Sequence, residues 1–153
     1  MPFCSDIHNH INAVLQIFRE AYGPDRSGDT ELIKALCSSP SCFGLLVRVG
    51  GQPAGFIMLR QADDTADIIE VCVRPPVQNR GIGRQLLDEA LHRAEARGVN
   101  QVLLEVAVTN KSALRLYRSA GFELVGKRPA YYRLQTEKID ALVMECRLPA
   151  RRQ

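Results

Sequence analysis

The sequence has no tryptophan and no long apolar run, and its five cysteines form no CxxC pair. No stretch approaches the roughly 18 apolar residues of a membrane-spanning helix, so we expect no membrane segment. Residues 1–6 contain neither a basic nor an apolar region, and we therefore expect no secretory signal. An odd number of scattered cysteines is unlike a secreted disulfide scaffold, which predicts reduced thiols and a cytoplasmic protein.

A strong excess of one charge is also missing. Lysine and arginine total 20 and aspartate and glutamate total 17, which leaves a net charge of +3. That excess is too small to indicate a dedicated nucleic-acid-binding protein. With 46% hydrophobic and 24% charged residues, the composition is that of a globular protein rather than a disordered one. Because no linker or repeat divides the 153 residues, we predict a single domain over residues 1–153.

Secondary-structure patterns alternate along the chain. A first helix is predicted behind a cap at Ser5 or Asp6 and ends at Gly23, and Thr30 caps a second. Apolar spacing predicts two later helices, ended by Gly98 and Gly121. Strands are predicted at 43–49, 54–60, 66–73, 102–108, 122–125 and 141–148, the first two joined by Gly50-Gly51. This order predicts an α/β fold, a mixed sheet of about six to seven strands with helices on both faces.

Two segments carry more specific expectations. Residues 102–108 are nearly apolar on both faces, which predicts a central strand covered on both sides. The polar residues from Gly126 to Asp140 are expected to form a loop between the last two strands. Tyr131 and Tyr132 in that loop either grip a peptide ligand or anchor the loop itself.

A glycine-containing loop, Gln78 to Arg84, lies between a predicted strand and a predicted helix. Glycines allow close approach of the backbone to a ligand, and a helix N-terminus attracts phosphate. A packing loop is the plain alternative. A dinucleotide site would need a third glycine where Leu86 stands, although Glu105 lies at a suitable distance for a ribose. A phosphate loop at Gly121–Arg128 is rejected because Arg128 replaces the hydroxyl residue.

Three side chains are candidates for acid–base chemistry. Glu105 lies within an apolar strand, where an ionised carboxylate needs donors or shifts its pKa upward, unless it simply reaches solvent or an ion pair. Glu70 raises the same question on the preceding strand and is the reserve candidate. Tyr117 lies on the apolar face of its helix, as a proton donor or as a core tyrosine. No His, Cys or carboxylate cluster has zinc-like spacing, so we expect no metal.

Taken together, these residues resemble the Gcn5-related N-acetyltransferase (GNAT) superfamily. Gln78-Asn79-Arg80-Gly81-Ile82-Gly83 matches its Q/R-x-x-G-x-G/A motif for acetyl-CoA. The second half of the chain is similar to bacterial ribosomal-protein alanine N-acetyltransferases, through Leu104-Glu105-Val106, Thr109-Asn110, Ala113, Leu116-Tyr117, Gly121-Phe122, Gly126-Lys127-Arg128-Pro129, Tyr131-Tyr132 and Asp140-Ala141-Leu142-Val143-Met144. The resemblance extends from about Phe43 to Leu148 and is loose before residue 43.

The resemblance implies specific roles. Glu105 corresponds to the general base and Tyr117 to the general acid of acetyl transfer from acetyl-CoA to a protein N-terminal α-amine, by direct attack. The acceptor is a protein or peptide, a ribosomal protein among the candidates. The residues implied to bind the cofactor are Val71, Cys72, Val73, Asn79, Arg80, Gly81, Ile82, Gly83, Arg84 and Asn110.

One departure affects the acceptor. The family commonly has a Phe-Pro-Trp-Ser-like stretch after the first helix, where this chain has Ala21-Tyr22-Gly23-Pro24-Asp25. Transfer to another amine (a lysine, a polyamine or an antibiotic) therefore remains an alternative, as does a non-catalytic acyl-CoA-binding module. We expect no nucleic-acid or membrane partner, and a monomer, with a dimer as the alternative.

Overall fold

A computed structural model describes residues 4–134 and 137–149. Within those residues, seven strands form one sheet in the order β1-β2-β3-β4-β5-β7-β6, and four α-helices pack against it. The strands are β1 (Cys4–Asp6), β2 (Cys42–Val49), β3 (Gln52–Ala62), β4 (Thr65–Val73), β5 (Gln101–Ala107), β6 (Glu123–Leu134) and β7 (Glu137–Arg147). The helices are α1 (Ile11–Tyr22), α2 (Thr30–Ser38), α3 (Ile82–Ala96) and α4 (Lys111–Ser119).

The helices cover both faces of the sheet, which confirms the predicted fold class. One hydrophobic core lies under α3 and α4 and includes Leu86, Leu87 and Leu114. A second core lies under α1 and α2 and includes Phe18 and Ile33. None of the helices in the described ranges is both long enough and apolar enough to cross a membrane.

The hairpin between β2 and β3 forms where the sequence predicts it. Gly50 and Gly51 both have positive φ angles, 59° and 78°, which a side chain with a Cβ rarely adopts. Val49 pairs with Gln52 across the turn, so the strands are joined by a two-residue loop.

The predicted caps of α1 and α2 are wrong. Asp6 Oδ1 accepts a hydrogen bond from the His8 amide at 2.9 Å and caps a short 3-10 turn, Ile7–Asn9. Helix α1 begins after this turn, behind His10, which makes no side-chain cap. Thr30 is the first residue of α2 rather than its cap, and its hydroxyl donates to the Ser27 carbonyl. Apolar spacing locates a helix, but it does not reveal a 3-10 turn placed before it.

The predicted loop from Gly126 to Asp140 is also wrong, because β6 continues to Leu134 and β7 begins at Glu137. Main-chain pairing with β7 extends to Leu134–Glu137 despite the polar composition. β6 is an edge strand, so its polar side chains reach solvent without cost and an apolar pattern is not required. The side chains of Tyr131 and Tyr132 lie outside the described residues.

β5 is central but is covered on one face only, so the prediction of double cover is wrong. Val102, Leu104 and Val106 are buried in the core under α3 and α4. Leu103, Glu105 and Ala107 alternate with them and are half-buried, which places them on the opposite face. Helices α1 and α2 cover β2, β3 and β4 on that face and leave β5 open.

Candidate functional site

The sheet opens between its two parallel strands. β4 and β5 pair only over Thr65–Asp67 and Gln101–Leu103. Beyond these three pairs β4 continues to pair with β3, and β5 with β7. Because β4 and β5 are parallel, both run toward the open end, and α3 and α4 begin after them. The carboxyl ends of parallel strands, with the helix N-termini that follow, are where α/β proteins bind ligands.

The N-terminus of α3 is built to receive an anion. Its N-cap, Gly81, has a φ of 80° in the left-handed region, and Asn79 has a φ of 62°. No side chain caps this helix, and its first turn holds no acidic residue. The amides of the first helical turn lack intrahelical acceptors, and the helix dipole adds positive charge there. A phosphate group would satisfy both features.

The residues around α3 fit a diphosphate ligand. Asn79 and Arg80 are exposed in the loop, and Gln78 Nε2 holds the loop by donating from its side chain to the Val73 carbonyl at 2.9 Å. A Cβ on Gly83 would make only an ordinary van der Waals contact with Leu116 Cδ2 at 3.4 Å, so packing against α4 does not by itself require glycine at this position. The Arg84 guanidinium donates to Asp88 further along α3 and to Ser119 at the end of α4, so its charge is already paired with a carboxylate.

Unlike α3, helix α4 has a side chain that caps its N-terminus. Asn110 Oδ1 accepts from the Ala113 amide and from the Ser112 hydroxyl, each at 3.3 Å. The predicted cofactor-binding asparagine is therefore the N-cap of α4. Tyr117 follows two turns later, is buried, and packs edge-on against Phe122 with ring centroids 5.7 Å apart.

β4 presents its predicted cofactor-binding residues in two directions. Val71 and Val73 pack toward the core under α3 and α4. The Cys72 side chain points the other way, into the core under α1 and α2, where burial raises the pKa of its thiol well above the usual range. Only the main chain of Cys72 is therefore available to a ligand on the α3 side.

Glu105 is partnered by an arginine from the sheet edge. Arg128 Nε on β6 lies 3.0 Å from Glu105 Oε1, reaching over β7. The Glu105 side chain is 25% exposed and that of Arg128 is 59% exposed. The carboxylate thus finds the donor that its position on an apolar strand demands. Arg128 was not expected at this site, because cross-strand register cannot be derived from the sequence.

Glu70 lies in a denser network. Tyr22 donates its hydroxyl to Glu70 Oε2 at 2.8 Å, and Arg26 Nη1 donates to Glu70 Oε1 at 2.7 Å. Arg26 Nε also donates to Asp29 at 2.8 Å. Burial, and then the charges of Cys72 and Glu70, raise the pKa of Tyr22 well above its usual range, so it stays protonated and donates. Tyr22 and Arg26 are functional candidates that the sequence analysis missed.

A β-bulge turns Glu70 toward this network. Met58 pairs with Glu70 and Leu59 with Ile68, so Ile69 is an extra residue in β4. The extra residue shifts the alternation by one and directs Glu70 to the face covered by α1. Counted from the last β4–β5 pair, Asp67 with Leu103, Glu70 and Glu105 lie at the same level once the bulge is skipped.

The structure thus brings the predicted residues together in two groups. The glycine loop, Val71, Val73 and Tyr117 lie on the side of α3 and α4. Glu105 and Glu70 lie on the opposite face, one on each side of the opening. The two groups meet where β4 and β5 separate.

The family model for the acetyltransferase (GNAT) family matches residues 11–122. Among curated proteins, the chain is 35% identical over 94 residues to the ribosomal protein bS18-alanine N-acetyltransferase of Escherichia coli strain K12. That alignment covers 61% of this chain and 64% of the relative, so the match spans less than two thirds of the relative's length.

Solved structures share the whole fold. The crystal structure of the Escherichia coli ribosomal-protein-S18-alanine N-acetyltransferase superposes with a TM-score of 0.87 at 26% identity, covering 96% of this chain and 94% of that one. A Salmonella typhimurium protein, yncA, solved with its cofactor acetyl-CoA, superposes with a TM-score of 0.84 at 20% identity, covering 100% and 97%. The second likeness is one of fold alone.

Proposed function

The chain belongs to the acetyltransferase (GNAT) family, and from that premise we propose that it transfers an acetyl group from acetyl-CoA to the α-amine of a protein N-terminus. One observation carries the proposal: the sheet opens between β4 and β5, with an uncapped helix N-terminus on one face and Glu105 on the other. Such an opening lets two substrates meet from opposite faces. The relatives named for alanine N-acetylation of a ribosomal protein support this acceptor class.

On the α3 side, the glycine loop and β4 bind acetyl-CoA in the proposed enzyme. Amides of Gly81, Ile82 and Gly83 receive the diphosphate, with the charges of Arg80 and Arg84 nearby. The main chain from Val71 to Val73 has no β5 partner among the described residues, so its polar groups can bond the amides of the pantetheine arm. Acetyl-CoA supplies the thioester carbon that is attacked and the thiolate that leaves.

On the opposite face, Glu105 removes a proton from the acceptor amine in the proposed enzyme. The α-amine of a peptide has a pKa of about 7.7–8.0, so a large fraction is charged near neutral pH and must lose a proton to attack. Glu105 accepts that proton, directly or through one water, before the neutral amine attacks the thioester carbon. The second proton, which the nitrogen loses once the nitrogen–carbon bond has formed, balances the one that the leaving sulfur takes up. Tyr117 donates its hydroxyl proton to the sulfur as the carbon–sulfur bond breaks. Holding the amine against the thioester lowers the barrier further.

Mass spectrometry of peptides incubated with acetyl-CoA tests the proposal. The panel contains a peptide with a free N-terminal alanine and no lysine, and the N-terminal peptide of the ribosomal protein bS18 from the same organism. The matched control peptide has a blocked N-terminus and one free lysine. We expect one added acetyl group on the free α-amine and none on the control.

Other outcomes decide between the alternatives. Acetylation of only the lysine peptide, or only of a polyamine or aminoglycoside, would replace the acceptor while keeping the enzyme class. Acetyl-CoA binding without transfer to any amine would instead make the protein an acyl-CoA-binding module.

A further inference from the structure

The segment between α1 and α2 is fastened to β4 by a single arginine. This wall segment, Gly23–Asp29, changes direction at Arg26, whose φ of −120° and ψ of 25° are not helical. Arg26 donates to Asp29 within the segment and to Glu70 on β4, at 2.8 and 2.7 Å. Its guanidinium therefore joins the bend of the wall segment to the edge of the opening.

The fastening is more than a surface ion pair. The Glu70 side chain is only 10% exposed and that of Arg26 is 34% exposed, so both charges are partly removed from solvent. The guanidinium also lies over the rings of Tyr22 and Phe18, 4.4 and 4.9 Å from their centroids. Such stacking fixes the plane of the guanidinium while its donors reach two carboxylates.

The position of this fastening matters because of what lies beside it. Glu70 and Glu105 are level with each other on opposite sides of the opening, on the face that α1 and α2 leave uncovered at β5. Since the α3 side is assigned to acetyl-CoA, an amine that reaches Glu105 arrives on this face. The wall segment borders this face on the β4 side, where Arg26 meets Glu70, and Arg128 borders it on the β6 side, where it meets Glu105.

We propose that Arg26 is a positioning residue for the acceptor: by bridging Asp29 and Glu70, it holds the wall segment where the acceptor's first residues lie. This inference rests on the proposed function. The Tyr22 hydroxyl supports it by occupying the other Glu70 oxygen, which leaves Oε1 for Arg26. Arg26 acts through Asp29 and Glu70 and not on the reacting atoms.

Steady-state kinetics of Arg26→Gln separates positioning from catalysis. We expect the acceptor KM to rise about 10-fold, with kcat within about threefold and the acetyl-CoA KM unchanged. Glu70→Gln should also raise the acceptor KM, and the double variant should raise it by less than the product of the two single effects, because both substitutions remove the shared Arg26–Glu70 pair. Arg26→Lys keeps the charge but not the two-armed bridge, so it should rescue only part of the acceptor KM.

The matched control is Arg93→Gln, which removes an exposed arginine paired with Glu89 on α3, away from the opening. It should leave both KM values unchanged. The proposal would be overturned if Arg93→Gln raised the acceptor KM as much as Arg26→Gln does. It would also be overturned if the effects of Arg26→Gln and Glu70→Gln on the acceptor KM were additive. A fall in kcat together with a rise in both KM values would overturn the proposal as well, since that pattern indicates general destabilisation.

Hydrogen–deuterium exchange of the protein alone tests the fastening without relying on turnover. The wall segment should exchange faster in Arg26→Gln than in the native protein or in Arg93→Gln. Unchanged exchange there would overturn the inference. If the native protein acetylates no amine, the proposed function fails and the positioning role fails with it, whereas a kinetic failure in an active enzyme rejects only the role of Arg26.

Discussion

Arg128 Nε lies 3.0 Å from Glu105 Oε1, so the proposed general base carries a cationic neighbour supplied by the edge strand β6. The pair spans β7, where Arg128 is opposite Ala141 and Glu105 is opposite Val143. Both side chains are therefore directed to the same face of the sheet, and the cation sets the direction of the carboxylate.

Replacing Glu105 by glutamine should reduce turnover roughly 10²–10⁴-fold, because the amide cannot take the proton from the acceptor amine. Acetyl-CoA affinity should stay nearly unchanged, since Glu105 lies on the other face. Turnover is measured by the rate of thiol release, and acetyl-CoA affinity by calorimetric titration. Full activity of Glu105→Gln from about pH 6 to about pH 8 would assign the base to Glu70 or to solvent.

Replacing Tyr117 by phenylalanine should also slow turnover roughly 10²–10⁴-fold, because the leaving sulfur loses its proton donor. The ring remains, so its edge-on contact with Phe122 and the melting temperature should be kept. Phe122→Leu is the matched control, because it disturbs the packing without removing a hydroxyl. If Phe122→Leu slows turnover as much as Tyr117→Phe does, Tyr117 acts through packing alone.

Replacing Gly83 by aspartate should abolish acetyl-CoA binding while the protein stays folded. An acidic residue in the first turn of a helix is favourable to the helix itself, but its charge opposes an incoming diphosphate. Gly83→Ala is the matched control, because its Cβ would make only ordinary contacts, 3.4 Å from Leu116 and 4.0 Å from Val73. Thermal-shift measurements with and without acetyl-CoA check both. Tight acetyl-CoA binding by Gly83→Asp would show that the diphosphate does not bind at the N-terminus of α3.

Replacing Arg128 by glutamine should change stability by less than about 1 kcal/mol, because the arginine is mostly exposed. Turnover should fall severalfold, less than in Glu105→Gln, because the carboxylate loses its orientation but not its chemistry. The difference in turnover between Arg128→Gln and the native enzyme should shrink as the salt concentration rises from about 0.02 M to about 1 M, because high salt already weakens the exposed ion pair in the native enzyme. A salt-independent difference would mean that Arg128 acts by packing rather than by charge.

Alkaline solution should destabilise the protein. Burial raises the pKa of Cys37 to about 11, whereas a thiol in the unfolded chain ionises near pH 8.5. The stabilising contribution is complete below the unfolded pKa and is lost as the pH rises toward the folded value. We expect urea unfolding to show that the free energy of unfolding falls less steeply in Cys37→Ala than in the native protein between about pH 8 and about pH 10.5. The two slopes should differ by at most about 1.4 kcal/mol per pH unit.

The control for this effect is Ile33→Val, which trims the same core without removing a titrating group. It should lower stability equally at every pH. An equally steep decline in Cys37→Ala and in the native protein would show that this thiol does not set the alkaline limit.

Local chemistry made much of the fold predictable, and long-range contacts made the rest unpredictable. Gly50-Gly51 identified the hairpin because a two-residue turn depends on those residues alone. The strand character of 126–134 was missed because it comes from pairing with β7, not from apolar alternation. Glu105 stood out as a carboxylate in an apolar strand, but its partner Arg128 depends on strand register. Arg26 is 44 residues from Glu70, so no local pattern joins them.

The three-pair junction of β4 and β5 makes this an unfinished sheet. β4 and β5 are hydrogen-bonded to each other at one end only. Along the rest of the opening, the main-chain groups of each strand that face the other strand can bond to a ligand. The amide-bearing arm of a coenzyme can then serve as a surrogate strand, so that ligand occupancy and the cohesion of the two halves rise and fall together. Under the proposed function, binding of acetyl-CoA would therefore also raise the free energy of unfolding of this protein.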